Sequence, residues 1–235
     1  MSRLLIINSK DRRTGTSTNF DILLQQNVTN FNGSHPTKIK LIGFQFSNAI
    51  YNVNSNNKNI AFTETTGGTV NITLTEGVYT ASTLATHLAS VMTSNTGVSN
   101  TYTGSYDSTT MKITITANTQ TFKFNADYKL IGFLSSQSAA LSLTGTYPPK
   151  ILIDYLIIES PNFETFLASF SNTGSFFVPL GNIDIQNVGY IGKNNIPGIT
   201  HNFKYNNNLK FTITDPDGNV INNNNYDIIM LFEIE

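Results

Sequence analysis

Apolar residues along this chain recur mostly with a period of two, the signature of half-buried strands, and in one stretch with the period of an amphipathic helix. Before residue 57 the alternation marks three strands. Leu4-Leu5-Ile6-Ile7 is a short apolar run, and residues 19–25 place Phe20, Ile22 and Leu24 on one face. Residues 38–47 start with Ile39 and Leu41 in phase, then continue with Ile42, Phe44 and Phe46 in the opposite phase. A bulge near Ile42-Gly43, or burial of both faces, accounts for that shift. After residue 147 the pattern marks five more strands, over 151–159, 175–178, 183–191, 208–214 and 226–235. Pro179 puts the second of these at an edge or a strand end. Residues 163–170 read as a loop with a helical turn, and Asp215-Pro216-Asp217-Gly218 as a type I turn opening the last connection.

The middle block, 57–146, has a different texture. Strands over 60–65 and 69–75 flank Thr66-Gly67-Gly68, a hairpin signal. Thr80 or Ser82 then caps a helix of three to four turns, with Leu84, Leu88 and Val91 as its apolar stripe, Ala81 and Ala85 beside it, and Asn95-Thr96-Gly97 as its stop. Residues 110–117 alternate, with Met111, Ile113 and Ile115 on one face, and Phe122 with Phe124 continue as the hairpin partner. Residues 127–133 form a short helical turn that plugs the base of the sheet. Two hairpins with a helix across them make a small core of their own.

These elements predict a mainly β protein: an eight-stranded single jelly roll built from 1–56 and 147–235, with a small α/β insertion domain, 57–146, between the third and fourth strands. No internal repeat period runs through the strands. A chain of 235 residues, 39% hydrophobic with 16 Phe and 10 Tyr, carries material for a large core. Only 12% of residues are charged, about half the usual share, and Asn, Thr and Ser fill the polar positions. The net charge of −1 gives no general attraction to nucleic acid or an anionic membrane. No membrane-spanning run occurs, and the apolar stretch in 1–8 is too short for a signal peptide. With no Cys there is neither a disulfide framework nor a thiolate metal site. The expectation is an intracellular, soluble protein, in which the glycosylation sequons at Asn27, Asn32 and Asn71 carry no weight.

Little of the chain points to catalysis. His35, His87 and His201 are far apart, and none has metal-binding spacing with carboxylates. His87 falls at the flank of the helix stripe, as a boundary histidine does. No nucleophile elbow, phosphate loop, dinucleotide fingerprint or H-E-x-x-H motif occurs. Lys10, Asp11, Arg12 and Arg13 form the densest charge cluster, a solvated turn or else a docking patch. Asp215 and Asp217 offer oxygen atoms but lack the further acids of a calcium loop. No catalytic, cofactor-binding or metal-ligating residue is assigned, and no cofactor.

Several stretches resemble the penton and minor capsid proteins of virophages, Polinton-like viruses and related large DNA viruses. They are Ile7-Asn8-Ser9-Lys10-Asp11-Arg12 followed by Ser17-Thr18-Asn19-Phe20-Asp21-Ile22; Ile39-Lys40-Leu41-Ile42; Ile50-Tyr51-Asn52-Val53; Leu74-Thr75-Glu76-Gly77-Val78-Tyr79-Thr80 with Leu84 and Leu88; Leu130-Ile131-Gly132-Phe133 before Pro148; and residues 211–220. The resemblance spans nearly the whole chain through short, degenerate motifs. It implies a non-enzymatic structural protein of the virion, assembled in the host cell: a single jelly-roll vertex protein of an icosahedral capsid, forming a homopentamer that contacts the major capsid protein. A different class is a viral attachment or carbohydrate-binding β-sandwich, with Tyr102, Tyr106 and Tyr128 as exposed sugar platforms. A jelly-roll enzyme of the cupin kind needs a histidine and carboxylate cluster that the chain does not offer.

Overall fold

The structure, a computed structural model, describes residues 3–24, 38–47, 49–164, 174–180, 188–192, 198–203 and 208–235. His35, the turn over 27–37, the sequons at Asn27 and Asn32, most of the loop 163–170 and the first half of the strand 183–191 lie outside the described residues. The chain divides into two compact units, residues 1–50 with 153–235, and residues 51–152.

The first unit holds strands β1 (Arg3–Asn8), β2 (Thr14–Gly15), β3 (Asn19–Leu23) and β4 (Lys38–Ser47). It also holds β11 (Tyr155–Ser160), β12 (Phe163–Glu164), β13 (Gly174–Pro179), β14 (Val188–Gly192), β15 (Thr200–Phe203), β16 (Asn208–Thr214) and β17 (Ile229–Ile234). One sheet runs β1-β17-β4-β15-β12 with β14 also on β4; the other runs β13-β11-β16-β3-β2. All these pairings are antiparallel. Their inward faces meet in an aromatic core. Phe211 of β16 stacks on Phe232 of β17 with centroids 6.0 Å apart, and Phe163 of β12 meets Phe176 of β13 edge-on at 5.1 Å. The two-sheet arrangement is jelly-roll-like.

Each of the eight expected strands has a counterpart here, and β2, β12 and β15 are additional. The phase shift in β4 is a bulge: Leu231 pairs with Gly43 and Phe232 with Leu41, leaving Ile42 as the extra residue. Ile39, Leu41, Phe44 and Phe46 all reach the core as a result. The strand expected over 151–159 begins only at Tyr155. Pro179 ends β13, an edge strand among the described residues, where its missing N–H costs no ladder bond. β15 escaped the periodicity because His201 occupies one of its inward positions. That ring is buried, and its Nε2 lies 2.8 Å from the Ser175 carbonyl on β13, a bond between the two sheets.

The second unit carries β5 (Asn59–Glu64), β6 (Gly68–Thr73), α1 (Ala81–Ser94), β7 (Tyr102–Asp107), β8 (Lys112–Ala117), β9 (Phe122–Phe124) and β10 (Ser142–Thr144). They form two three-stranded sheets, β6-β5-β9 and β10-β8-β7, around a separate hydrophobic core. Thr80 is the N-cap of α1 and makes a capping box with Thr83. The helix buries Ala81, Leu84, Ala85, Leu88, Ala89 and Met92. Met92, rather than the expected Val91, ends the stripe, and Val91 is half-buried beside it.

Three expectations are corrected here. Phe122 and Phe124 do not pair with the strand at 112–117; β9 joins β5, and β8 takes β7 and β10 as partners. Met111 does not share the buried face of Ile113 and Ile115. It is 52% exposed and has φ 54°, because the turn from β7 into β8 passes through it. Residues 127–133 make no helix. The Tyr128 carbonyl accepts from Ile131, Gly132 and Phe133, closing a tight turn whose Leu130, Ile131 and Phe133 are buried. β7 was hidden for a physical reason: a Cβ on inward-facing Gly104 would stand 2.1 Å from the Ala85 carbonyl oxygen. The helix backbone therefore lies directly on the strand, and the missing side chain erases the alternation.

Phe163 touches Phe176, His201, Phe203, Phe211 and Phe232. Phe163→Ala is expected to destabilise the protein by about 3–5 kcal/mol, a cavity effect measurable by denaturant unfolding. A loss under about 1 kcal/mol would mean that the core closes over the site.

Candidate functional site

The residues singled out for chemistry are engaged in holding local structure. In the charge cluster, Ser9–Asp11 forms a single 3-10 turn, and the Asn8 side chain accepts from the Lys10 N–H. Arg12 reaches back to the Ser9 carbonyl at 2.8 Å and to Asp227 at 3.5 Å. Asp215 Oδ1 accepts from the N–H groups of Asp217 and Asn219, both at 2.9 Å, and the Gly218 N–H closes the turn on the Asp215 carbonyl. Its carboxylate thus organises the turn. His87 is half-buried at the flank of α1 and His201 is buried in the other unit's core, where burial pushes its pKa down. Among the described residues no group of His, Asp or Glu could hold a metal, and no helix is long and apolar enough to cross a membrane. A cleft of about 40 Å³ between Lys38, Lys40, Thr200, Glu233 and Glu235 has room for little more than water.

The three tyrosines expected as an exposed sugar platform are not one. Tyr102 is buried, Tyr106 and Tyr128 are half-buried, and the Tyr128 hydroxyl accepts from the Ala61 N–H at 2.6 Å. Tyr102 serves an interior network instead. Its hydroxyl donates to Glu64 at 2.7 Å, and the same carboxylate accepts from the N–H groups of Ser99 at 2.9 Å and Asn100 at 3.2 Å. Asn100 in turn accepts from the backbone of Thr119 and Gln120 and donates to the Gln120 carbonyl. Glu64 is 1% exposed. Burial works to raise its pKa, but the bonds from Ser99, Tyr102 and Asn100 outweigh it and hold the carboxyl below its ordinary value. Burial, followed by the neighbouring Glu64, pushes the Tyr102 phenol well above its ordinary value. The strand's alternation carried this signal, since Glu64 shares the inward phase of Ile60 and Phe62.

What the surface of the first unit offers is apolar area. On the outer face of β1, Leu4 and Ile6 are 63% and 62% exposed. Ile6 pairs with Leu231 and Asn8 with Ile229 on β17, both half-buried. On the outer face of the other sheet, Phe177 of β13 pairs with Ile157, and Tyr155 pairs with Pro179. The Tyr155 and Phe177 rings meet edge-on at 5.8 Å. β1 and β13 each terminate their sheet in the described pairing order. Two apolar strips therefore lie on two different outer faces, each along an edge strand. Aromatic and aliphatic groups are gathered there, with one carboxylate on each face, Glu233 opposite Leu4 and Glu159 two positions beyond Ile157.

No protein-family model matches the chain, and no curated protein does. Solved structures do match this mainly β chain of jelly-roll-like sheets with one helix. Among them is the crystal structure of the selenomethionine-labelled mavirus penton protein. It aligns with 100% of this chain and 99% of its own at a TM-score of 0.53 and 14% sequence identity. At that identity the likeness is one of fold, and it runs through both units.

The buried carboxylate has a pH consequence. A depressed carboxyl pKa contributes stability that is fully present above the ordinary value, about 4.3, and is lost as pH falls through the folded-state value. Thermal melts are expected to fall steeply below about pH 4, and Glu64→Gln is expected to flatten that limb. Glu64→Ala, which strands three donors, is expected to cost about 2–4 kcal/mol by denaturant unfolding.

Proposed function

We propose that this protein is the vertex subunit, or penton, of an icosahedral virus capsid, in which five copies close a ring held by the surrounding major capsid protein. The observation that carries the reading is the end-to-end likeness in fold to the mavirus penton protein. On this reading the protein is structural and non-catalytic, is assembled in the host cell and resides in the virion. The first unit is a single eight-stranded jelly roll, with sheets β1-β17-β4-β14 and β3-β16-β11-β13. Residues 51–152 are an insertion domain placed between the third and fourth of those strands.

The two apolar strips fit the role. A ring of identical subunits needs two different, mutually complementary surfaces on each copy, because its contacts are head-to-tail. Leu4 and Ile6 with Leu231 would meet Phe177, Tyr155 and Ile157 of the next copy. Nothing among the described residues favours the sugar-binding alternative, since its three tyrosines are engaged within the second unit.

Light scattering on the purified chain tests the reading. The expected particle is about 130 kDa, five chains of 25.9 kDa. Leu4→Asp with Ile6→Asp, and separately Phe177→Asp, should each reduce it to monomer without unfolding it. Mixing the two variants should give a dimer, since each keeps one intact face. A wild-type chain that stays monomeric at every concentration, or forms a trimer, contradicts the reading.

A further inference from the structure

The connection from β6 to α1 is fastened by a ring nitrogen. The Thr75 N–H donates to His87 Nε2 at 3.1 Å, so that nitrogen carries no proton and the neutral ring has its hydrogen on Nδ1. The Tyr79 ring stacks on the same imidazole, with centroids 5.1 Å apart and 23° between planes. Its hydroxyl donates to the Thr75 carbonyl at 2.9 Å. Between them, Gly77 and Val53 exchange backbone bonds of 2.9 and 3.2 Å. Asn52 clamps the far end: its Oδ1 accepts from the Tyr79 N–H at 3.0 Å, and its Nδ2 donates to the Tyr79 carbonyl at 2.7 Å. The same Nδ2 donates to the Ile151 carbonyl at 3.2 Å. Residues 75–79 are thus fastened at one end to His87 and at the other to the two segments by which the chain enters and leaves the second unit.

We propose that residues 75–79 are an acid-released strap, held shut while the His87 ring is neutral and let go when Nε2 takes a proton. Protonation would set the new Nε2–H against the Thr75 N–H, donor against donor, and no other acceptor on that ring replaces the lost one. The charged surroundings leave the switch to His87. Helix α1 has no other titratable residue, and β6 has none. On the connection itself, Glu76 is paired with Lys58 Nζ at 2.8 Å, and burial raises the Tyr79 phenol, which stays neutral. On β7 and β8, packed against α1, the charged residues are Lys112 and Asp107, whose carboxylate is taken by Thr109 and Thr110. The stacked phenol favours the imidazolium; burial disfavours it and lowers the His87 pKa. The strap's hold is therefore complete above the ordinary histidine value of about 6.5 and is lost as pH falls through the lower folded-state value.

Hydrogen exchange of the full-length chain, read by mass spectrometry at about pH 7.5 and about pH 5 and corrected for intrinsic rates, tests this directly. In the wild type the peptide covering 74–80 is expected to lose about five- to tenfold of its protection at the lower pH, the worth of one hydrogen bond. The peptide covering 112–117 should stay unchanged. His87→Gln, whose side-chain oxygen can accept without titrating, should hold the strap equally at both values. Wild-type protection that does not change overturns the proposal whatever the variant does, and so does a parallel loss in His87→Gln.

Discussion

The first unit closes only when its last strand arrives. β17 occupies the slot between β1 and β4, pairing Leu5 with Phe232 on one side and Phe44 with Met230 on the other. Without it β1 is cut off from β4 and the rest of the first sheet, and Phe211 and Phe176 lose Phe232 as their neighbour across the core. Around that slot, the Ser9 N–H donates to the Ile228 carbonyl at 2.8 Å, and the Ser9 hydroxyl accepts from the Ile228 N–H at 2.8 Å. Lys38 and Glu235 exchange two backbone bonds of 3.0 Å. Pairing residues about two hundred positions apart carries a loop-closure cost that only the whole sandwich offsets.

Against that cost, the 102 residues of the second unit could have been a long slack loop. They behave otherwise because they bury their own core and because Asn52 ties to the Ile151 carbonyl. A folded insert with its ends held together adds far less closure entropy than a free segment of the same length. Its outer faces explain the low charge of the chain. Thr63 faces Thr69, Thr114 faces Thr144 and Thr116 faces Ser142, hydroxyl to hydroxyl at 3.1, 2.9 and 2.8 Å. Cross-strand hydroxyl pairs do here what ion pairs do on most sheets.

Legibility in the sequence followed periodicity. β4 declared its bulge because four apolar residues, Ile39 and Leu41 before and Phe44 and Phe46 after, kept strict phase on either side of Ile42 and Gly43, and α1 declared its cap through Thr80 and its stripe through Leu84 and Leu88. Elements were missed where the inward position carries something other than an aliphatic or aromatic group. Gly104 in β7 yields to the backbone of α1, His201 in β15 bonds across the core, and β10 is too short to show more than Leu143. Met111 misled for the opposite reason, an apolar side chain in phase but on a turn. The interior network at Glu64 was readable only as a carboxylate in phase with Ile60 and Phe62; its partners Ser99 and Asn100 are brought to it by the fold, and no local pattern announces them. The apolar strips on β1 and β13 were equally silent, because outward Leu4, Ile6 and Phe177 look like core residues until the sheets are paired.

On the proposed function, labour is divided: the first unit makes the ring, and residues 51–152 form a separate body. The solution mass of a chain in which 51–152 is replaced by a short Gly/Ser linker decides this. The prediction is a folded, cooperatively melting protein that still assembles as five copies. A variant that folds but remains monomeric would place ring contacts in the second unit, and one that fails to fold would show that the jelly-roll unit is not self-sufficient; either contradicts the claim.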